Sequence, residues 1–139
     1  VGCEAVYIYL RDEYHEARQL LKRELAALLS ELTGHDVRRR VRQHEADSDL
    51  EGVPGWSIEC KRYGRATHAH IEGWWYQAVQ QARAAKALPV LFFRLDRAEW
   101  RAVWLAGIHL PHRPVPVEYG NTLTADPATW WAMAQTIRR

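Results

Sequence analysis

The sequence predicts an α/β protein in which helices flank a mixed β-sheet, and three observations support this class. An amphipathic helix over 13–33 leads the chain, and a hairpin of two strands follows within 50–63. A second helix, over 66–86, lies between that hairpin and two further strands, 89–95 and 100–105. Because a helix between strands usually crosses over one face of a sheet, we expect helices on the sheet.

Length and composition limit the class of protein further. The chain has 139 residues, so we predict one domain over 1–139, with a core at about 13–106 and a C-terminal helix at about 127–138. Apolar residues make up 47% and charged residues 26%, which excludes disorder over most of the chain. The sequence has no apolar run of membrane-spanning length and only two cysteines. We therefore expect a cytoplasmic protein with no membrane partner and no disulfide framework.

Apolar residues at steps of three and four predict the first helix. They are Ala17, Leu20, Leu21, Leu25, Leu28, Leu29 and Leu32. Gly34 supplies the signal for the C-terminal end of this helix. The segment 5–10 could be a short strand or the start of the same helix, and its pattern does not decide between them.

The alternating segment 36–43 predicts a strand with one strongly cationic face. Its two sides would be Val37, Arg39 and Val41 on one, and Arg38, Arg40 and Arg42 on the other. Arginine accounts for 16 of the 19 basic residues of the chain. This excess of arginine over lysine is typical of proteins that contact phosphates, but the codon usage of a GC-rich genome produces it as well. We predict that nucleic-acid phosphates contact the four arginines of this strand: Arg38, Arg39, Arg40 and Arg42.

The hairpin within 50–63 turns at Pro54–Gly55, which suit the two central positions of a type II turn. If the loop has two residues, Leu50 faces Glu59, and Asp49 projects to the wrong side of the sheet. An extra residue in the first strand corrects this, and a glycine permits it. We therefore predict a bulge at Glu51–Gly52.

The remaining elements follow the same logic of periodicity and capping. The helix over 66–86 has an apolar stripe that includes Trp74 and Trp75, and 89–95 is a buried strand. Segment 109–121 has three prolines and no clear period. Asp126 and Pro127 are an N-cap and a first helical residue, and they open a final helix. The tryptophan pairs 74–75 and 130–131 are interpreted as core or dimer contacts rather than base-stacking platforms.

An acid and an amine leave the same face of the second hairpin strand. Glu59 and Lys61 are two residues apart, so their side chains emerge about 6.6 Å apart. Hydrolysis of a phosphodiester requires a cation that balances charge and acidifies water, and Mg²⁺ accepts one or two carboxylates. We predict that Asp49, Glu59 and the carbonyl of Cys60 hold Mg²⁺, for which Mn²⁺ substitutes. Lys61 would orient or deprotonate the attacking water, although such a pair is often only a surface ion pair.

The segment from Asp49 to Arg62, with its acid, turn and Glu-Cys-Lys triplet, resembles the PD-(D/E)xK nuclease superfamily. It is most similar to the phage and archaeal Holliday-junction-resolvase-like branch, over roughly 23–105. Ser48 stands where the family name has proline. The resemblance implies a restriction-endonuclease-like core and a DNA endonuclease for branched substrates such as four-way junctions. It also implies a homodimer and, for a phage protein, action in the host-cell cytoplasm.

The same resemblance implies further site residues. Many such nucleases place a glutamate of the first helix near the metal, and Glu24 fits that position. Many also place a glutamine on the crossover helix, for which Gln81 is preferred over Gln77. Arg62, next to the triplet, is added to the predicted DNA contacts.

Two other functions remain open at this point. One is a nucleic-acid-binding module that keeps the fold without cleavage. The other is a related nuclease that acts on DNA ends, nicks or RNA. The presence of Asp49, Glu59 and Lys61 together favours cleavage, because a module that only binds does not need all three.

Overall fold

The computed structural model describes residues 3–41, 48–110 and 116–137, with side chains from residue 17 onward. The helices are α1 (Cys3–Thr33), α2 (His68–Ala85) and α3 (Pro127–Ala134). The strands are β1 (Arg38–Arg39), β2 (Leu50–Glu51), β3 (Trp56–Tyr63), β4 (Leu88–Leu95), β5 (Arg101–Leu105) and β6 (Thr122–Ala125). In the described part of the chain, no helix has both the length and the apolar character needed to cross a bilayer.

The strands form one mixed sheet in the order β1-β2-β3-β4-β5-β6. The β3–β4 pair is parallel, with Trp56 opposite Leu88 and Tyr63 opposite Leu95, and every other pair is antiparallel. Helix α2 makes the crossover that a parallel pair requires. The predicted α/β class, with a mixed sheet flanked by helices, is confirmed.

Two hydrophobic cores lie on opposite faces of this sheet. Helices α1 and α3 cover one core, which includes Leu25, Leu29, Ile58, Cys60, Phe92 and Trp130. Helix α2 covers the other, with Trp75, Ala78, Val79, Leu91, Phe93 and Val103. Because side chains alternate along a strand, Glu59 and Lys61 share one face, as predicted, and this is the face that α2 covers.

Helices α2 and α3 begin directly after their N-capping residues, Thr67 and Asp126. Segment 5–10, for which strand and helix were both open, belongs to α1. Helix α2 begins at His68 rather than at 66, because Thr67 caps it and accepts a hydrogen bond from the N–H of His70. Asp126 caps α3 through the N–H of Thr129, as predicted, but α3 ends at Ala134, earlier than expected.

Two strand predictions need correction. Of the strand predicted over 36–43, the described residues contain Arg38–Arg39 alone, because the neighbouring strand β2 also has two residues, and 42–43 lie outside the described residues. Val41, predicted on the same side of the strand as Val37, is 80% exposed, whereas Val37 is buried. Strand β6 was not predicted, because four residues next to a proline-rich segment are too few to show a period.

The predicted bulge at Glu51–Gly52 is confirmed. The turn is closed by Trp56, whose N–H donates to the carbonyl of Val53, and Leu50 is opposite Ile58 rather than Glu59. The first strand therefore has one more residue than the second between the turn and this pair. Gly52 absorbs the extra residue with a φ of +124°, a conformation that favours glycine.

We expect Gly52→Ala to destabilise the fold by about 3 kcal/mol in urea unfolding. A Cβ at this position would overlap the carbonyl oxygen of Asp36, and the φ is strained for any L side chain. Gly34→Ala is the matched control, because Gly34 also has a positive φ but open space around it, and about 1 kcal/mol is expected. Equal losses for the two variants would contradict the role given to Gly52.

Candidate active site at the β2–β3 edge

Asp49 is fixed just before β2 by four separate contacts. Its N–H donates to the carbonyl of Ile58, and its own carbonyl accepts from the N–H of Arg40, both at 3.0 Å. Its Oδ2 accepts from the backbone N–H of Cys60 at 2.9 Å, and its Oδ1 lies 3.0 Å from the Nζ of Lys22. The bulge thus places the buried carboxylate of Asp49 at the edge of β3, and these four contacts fix its orientation.

Glu59 and Lys61 meet Asp49 from β3. Glu59 is 1% exposed, and its Oε1 lies 3.6 Å from the Nζ of Lys61. Gln81, buried on α2, interacts with Glu59, whereas Gln77 is only half-buried. The structure therefore brings Asp49, Glu59, Lys61 and Gln81 to one place.

The two carboxyl groups have opposite pKa shifts. Burial opposes ionisation of Asp49, but the hydrogen bond from Glu59, the charge of Lys22 and the N–H of Cys60 hold its pKa below the usual value. Burial and the neighbouring Asp49 charge raise the pKa of Glu59 to about 8, although Lys61 and Gln81 act in the other direction. Ionising both of two adjacent buried carboxyl groups has a high cost in free energy. Asp49 is therefore the ionised group of the pair, and Glu59 keeps its proton.

This arrangement predicts a pH dependence of stability in EDTA. Between about 4.5, the ordinary pKa of Glu59, and about 8, the folded state keeps a proton that the unfolded state has lost. Stability from this group is therefore complete below pH 4.5 and is lost as the pH rises towards 8, by at most about 1.4 kcal/mol per pH unit. The contribution of Asp49 changes only below pH 3.8.

We expect Glu59→Gln to remove this slope in urea unfolding measured from pH 5 to pH 8.5, because glutamine does not titrate. Glu51→Gln, at an exposed carboxylate on β2, is the control and should keep the wild-type slope. A slope that survives in Glu59→Gln would show that another group causes it.

The residues at this edge fit a divalent cation. Glu59 Oε2 and both amide atoms of Gln81 are buried without a well-formed hydrogen bond, and burial beside the charged Asp49 raises the pKa of the Glu59 carboxyl. Among the residues that the structure describes, no group of three or more histidine, cysteine or acidic side chains is arranged so that it could hold a metal ion. The acidic donors that meet at this edge are thus two carboxylates, Asp49 and Glu59, and a hard divalent cation that keeps several waters accepts such a set.

Glu24 is not brought to these carboxylates. Its Oε1 pairs with Arg94 Nη1 at 2.6 Å, and its side chain is half-exposed. Residues two apart on a helix lie about 200° apart, so Lys22 faces Asp49 from α1 while Glu24 lies on the other flank. Sequence reasoning missed Lys22, although a lysine between the buried residues Leu21 and Leu25 was a signal.

Cys60 contributes its backbone rather than its thiol. Its side chain is buried in the core under α1, and burial together with the two neighbouring carboxylates raises the pKa of the thiol. The thiol therefore stays neutral and is a poor nucleophile. The contact that matters at the site is the N–H that it donates to Asp49.

Four of the five predicted DNA-contacting arginines are described by the structure, and their surroundings differ. Arg38 is exposed and lies 3.6 Å from Asp36, and Arg39 donates to Gln19 Oε1 at 2.6 Å. Arg40 is partly buried beside Asp49, and Arg42 lies outside the described residues. Arg62, after Lys61, lies 3.4 Å from Asp96 at the surface.

Comparisons with known proteins match this region of the chain. A family model described as "Phage putative PDDEXK endonuclease" matches residues 20–109, which include Asp49, Glu59, Lys61 and Gln81. Among solved structures, the chain is similar to Archaeoglobus fulgidus Hjc, a Holliday junction resolvase from an archaeal hyperthermophile. The identity is 18% and the TM-score 0.44, over 79% of this chain and 84% of that chain. No curated protein matches by sequence.

Proposed function

Because this chain belongs to the phage PDDEXK endonuclease family, we propose that it is a divalent-metal-dependent endonuclease for branched DNA. One observation carries the metal-dependent chemistry: two buried carboxylates, Asp49 and Glu59, meet the amine of Lys61 at one sheet edge. The branched substrate, such as a four-way junction, follows from the resemblance of segment 49–62 to resolvase-like nucleases.

Asp49 and Glu59 would hold Mg²⁺ or Mn²⁺, with the carbonyl of Cys60 as a third protein oxygen. The ion supplies positive charge against the developing negative charge and makes water a stronger acid. Asp49 enters the reaction already oriented by the N–H of Cys60. Glu59 must give up its proton for the ion, and Gln81 favours this because its interaction stabilises the charged carboxylate.

Lys61 is the proposed catalytic amine. Its Nζ lies 3.6 Å from Glu59 Oε1, and its side chain is largely buried, with 13% exposed. From there it can hold the attacking water by a hydrogen bond and stabilise the negative charge that develops on the phosphate. Arg38, Arg39, Arg40, Arg42 and Arg62 are proposed to hold flanking phosphates.

The proposed assembly is a homodimer. A four-way junction has two strands to cut symmetrically, and two cuts require two active sites related by a two-fold axis. The host-cell cytoplasm, where phage DNA branches arise, is the proposed place of action.

A cleavage panel tests the proposal. The wild-type protein is incubated with linear, nicked, flapped and four-way DNA in Mg²⁺, Mn²⁺ or EDTA. We expect cleavage of four-way DNA with either ion and none in EDTA. Cleavage only at nicks or ends would move the protein to the alternative substrate class. Binding of junctions without cleavage of any substrate would identify a non-cleaving module and overturn the proposal.

A further inference from the structure

Helix α1 is much longer than the sheet on which it packs. It has 31 residues, whereas β3 and β4 have eight each and end opposite each other at Tyr63 and Leu95. Ser30 hydrogen-bonds to Val37 beside the turn that precedes β3, and Ala17 lines a cavity together with Tyr63 at the end of β3. The helix thus runs antiparallel to β3, and residues 3–16, here called the α1 arm, continue past the end of the sheet for about 21 Å.

The apolar residues of the α1 arm follow a heptad pattern. They recur at alternating steps of four and three residues and continue into the part of α1 that packs on the sheet: Cys3, Tyr7, Leu10, Tyr14, Ala17 and Leu21. This spacing places them on one face of the helix, which is the face that buries Leu21 in the core. Because helices in proteins are stabilised mainly by packing of an apolar face, the stripe along the arm indicates a helical partner.

The position of the sheet selects the direction in which two copies of this helix can pair. In the C-terminal half of α1, the sheet covers the same stripe, since Leu21, Leu25 and Leu29 are buried against it. A parallel pair would bring the sheets of both copies to the same end of the two arms, where each sheet would obstruct the other helix. In an antiparallel pair the two sheets lie at opposite ends, and the arms can meet along their whole length.

Charge selects the register of an antiparallel pair. Where Tyr7 is level with Leu10 of the partner subunit, one side of the stripe is flanked by Glu4 and Arg11. Glu4 of each copy is then level with Arg11 of the other, so two pairs of opposite charge are related by a two-fold axis. A shift by one heptad would instead bring the two copies of Arg11 level with each other, and like charges at this position are unfavourable.

We propose that the α1 arm is the dimerisation element of this protein and that it pairs antiparallel with the same arm of a second copy. The inference rests on the homodimer of the proposed function and names its interface. The arm leaves the sheet at the cavity that Lys22 and Lys61 also line, so each candidate active site lies at the base of an arm. The two sites of the dimer are therefore held on opposite sides of the two-fold axis, as two symmetric cuts require.

Sedimentation equilibrium of the full chain tests the interface. We expect wild type to be a dimer at micromolar concentration, and Leu10→Asp to raise the dimer dissociation constant about a hundredfold, because a carboxylate enters the apolar stripe. Ile8→Asp is the matched control, since Ile8 is an apolar residue of the same arm that lies roughly 100° around the helix from Tyr7. A monomeric wild type, a dimer that survives Leu10→Asp, or an equal loss in Ile8→Asp would overturn the inference.

Disulfide formation tests the direction and register without a charge in the stripe. In the proposed pair, Cys3 is level with position 14 of the partner subunit, so oxidised Tyr14→Cys should run as a covalent dimer on a denaturing gel. Wild type, and Tyr14→Cys combined with Cys3→Ser, should give no covalent dimer, because identical positions are far apart in an antiparallel pair and Cys60 is buried. Covalent dimers from either of these two proteins, or none from Tyr14→Cys, would refute the antiparallel pair.

The cleavage panel on the same proteins separates the two proposals. A wild type that cuts no DNA refutes the nuclease, whatever its assembly. A nuclease whose dimer does not depend on Leu10 refutes the interface, whatever DNA it cuts.

Discussion

Replacing Lys61 with methionine should slow metal-dependent cleavage by about a thousandfold, the size expected when a positioned proton donor or charge stabiliser is removed. The amine is the one cationic group within 4 Å of Glu59 in the described structure, so no neighbour takes over its role. Methionine keeps the length of the side chain and its packing along β3. The rate is measured under single turnover with four-way DNA in Mg²⁺.

Lys86→Met is the control for this experiment, because Lys86 is an exposed lysine at the end of α2. It should cleave at the wild-type rate. Calorimetric titration with Mn²⁺ should show that Lys61→Met still binds the ion, since both carboxylates remain. A variant that binds the ion and cleaves at the wild-type rate would remove Lys61 from the mechanism.

Lys22→Met should destabilise the protein in EDTA by about 3 kcal/mol, because it leaves the charge of Asp49 buried without its ammonium partner. The two side chains are 9% and 0% exposed, and their charged atoms lie 3.0 Å apart, so water does not replace the lost contact. Mn²⁺ should restore stability to this variant more than it stabilises wild type, because a cation then supplies the missing charge. Urea unfolding with EDTA and with Mn²⁺ measures both effects.

Arg23→Met is the matched control, because it removes one positive charge from the residue that follows Lys22 on α1 and that is exposed. It should change the free energy of unfolding by less than about 0.5 kcal/mol. A loss as large as that of Lys22→Met would point to helix α1 itself rather than to the buried ion pair. An unchanged stability of Lys22→Met would show that Asp49 does not depend on Lys22.

The sequence by itself determined the elements whose signals are local. The caps and periodicity placed α2 and α3 to within a few residues, and Asp126–Pro127 fixed the start of the last helix. The hairpin and the bulge at Gly52 were also predictable, because side chains alternate along a strand and Asp49 must share a face with Glu59.

Only the tertiary structure decided which α1 side chain meets the site and where the sheet ends. A helix turns 100° per residue, so its pattern alone does not say whether Lys22 or Glu24 faces Asp49. That choice depends on how α1 packs across the sheet. The shortness of β1 and the presence of β6 likewise depend on pairing with strands that lie at a distance in the chain, and local patterns do not encode such pairing.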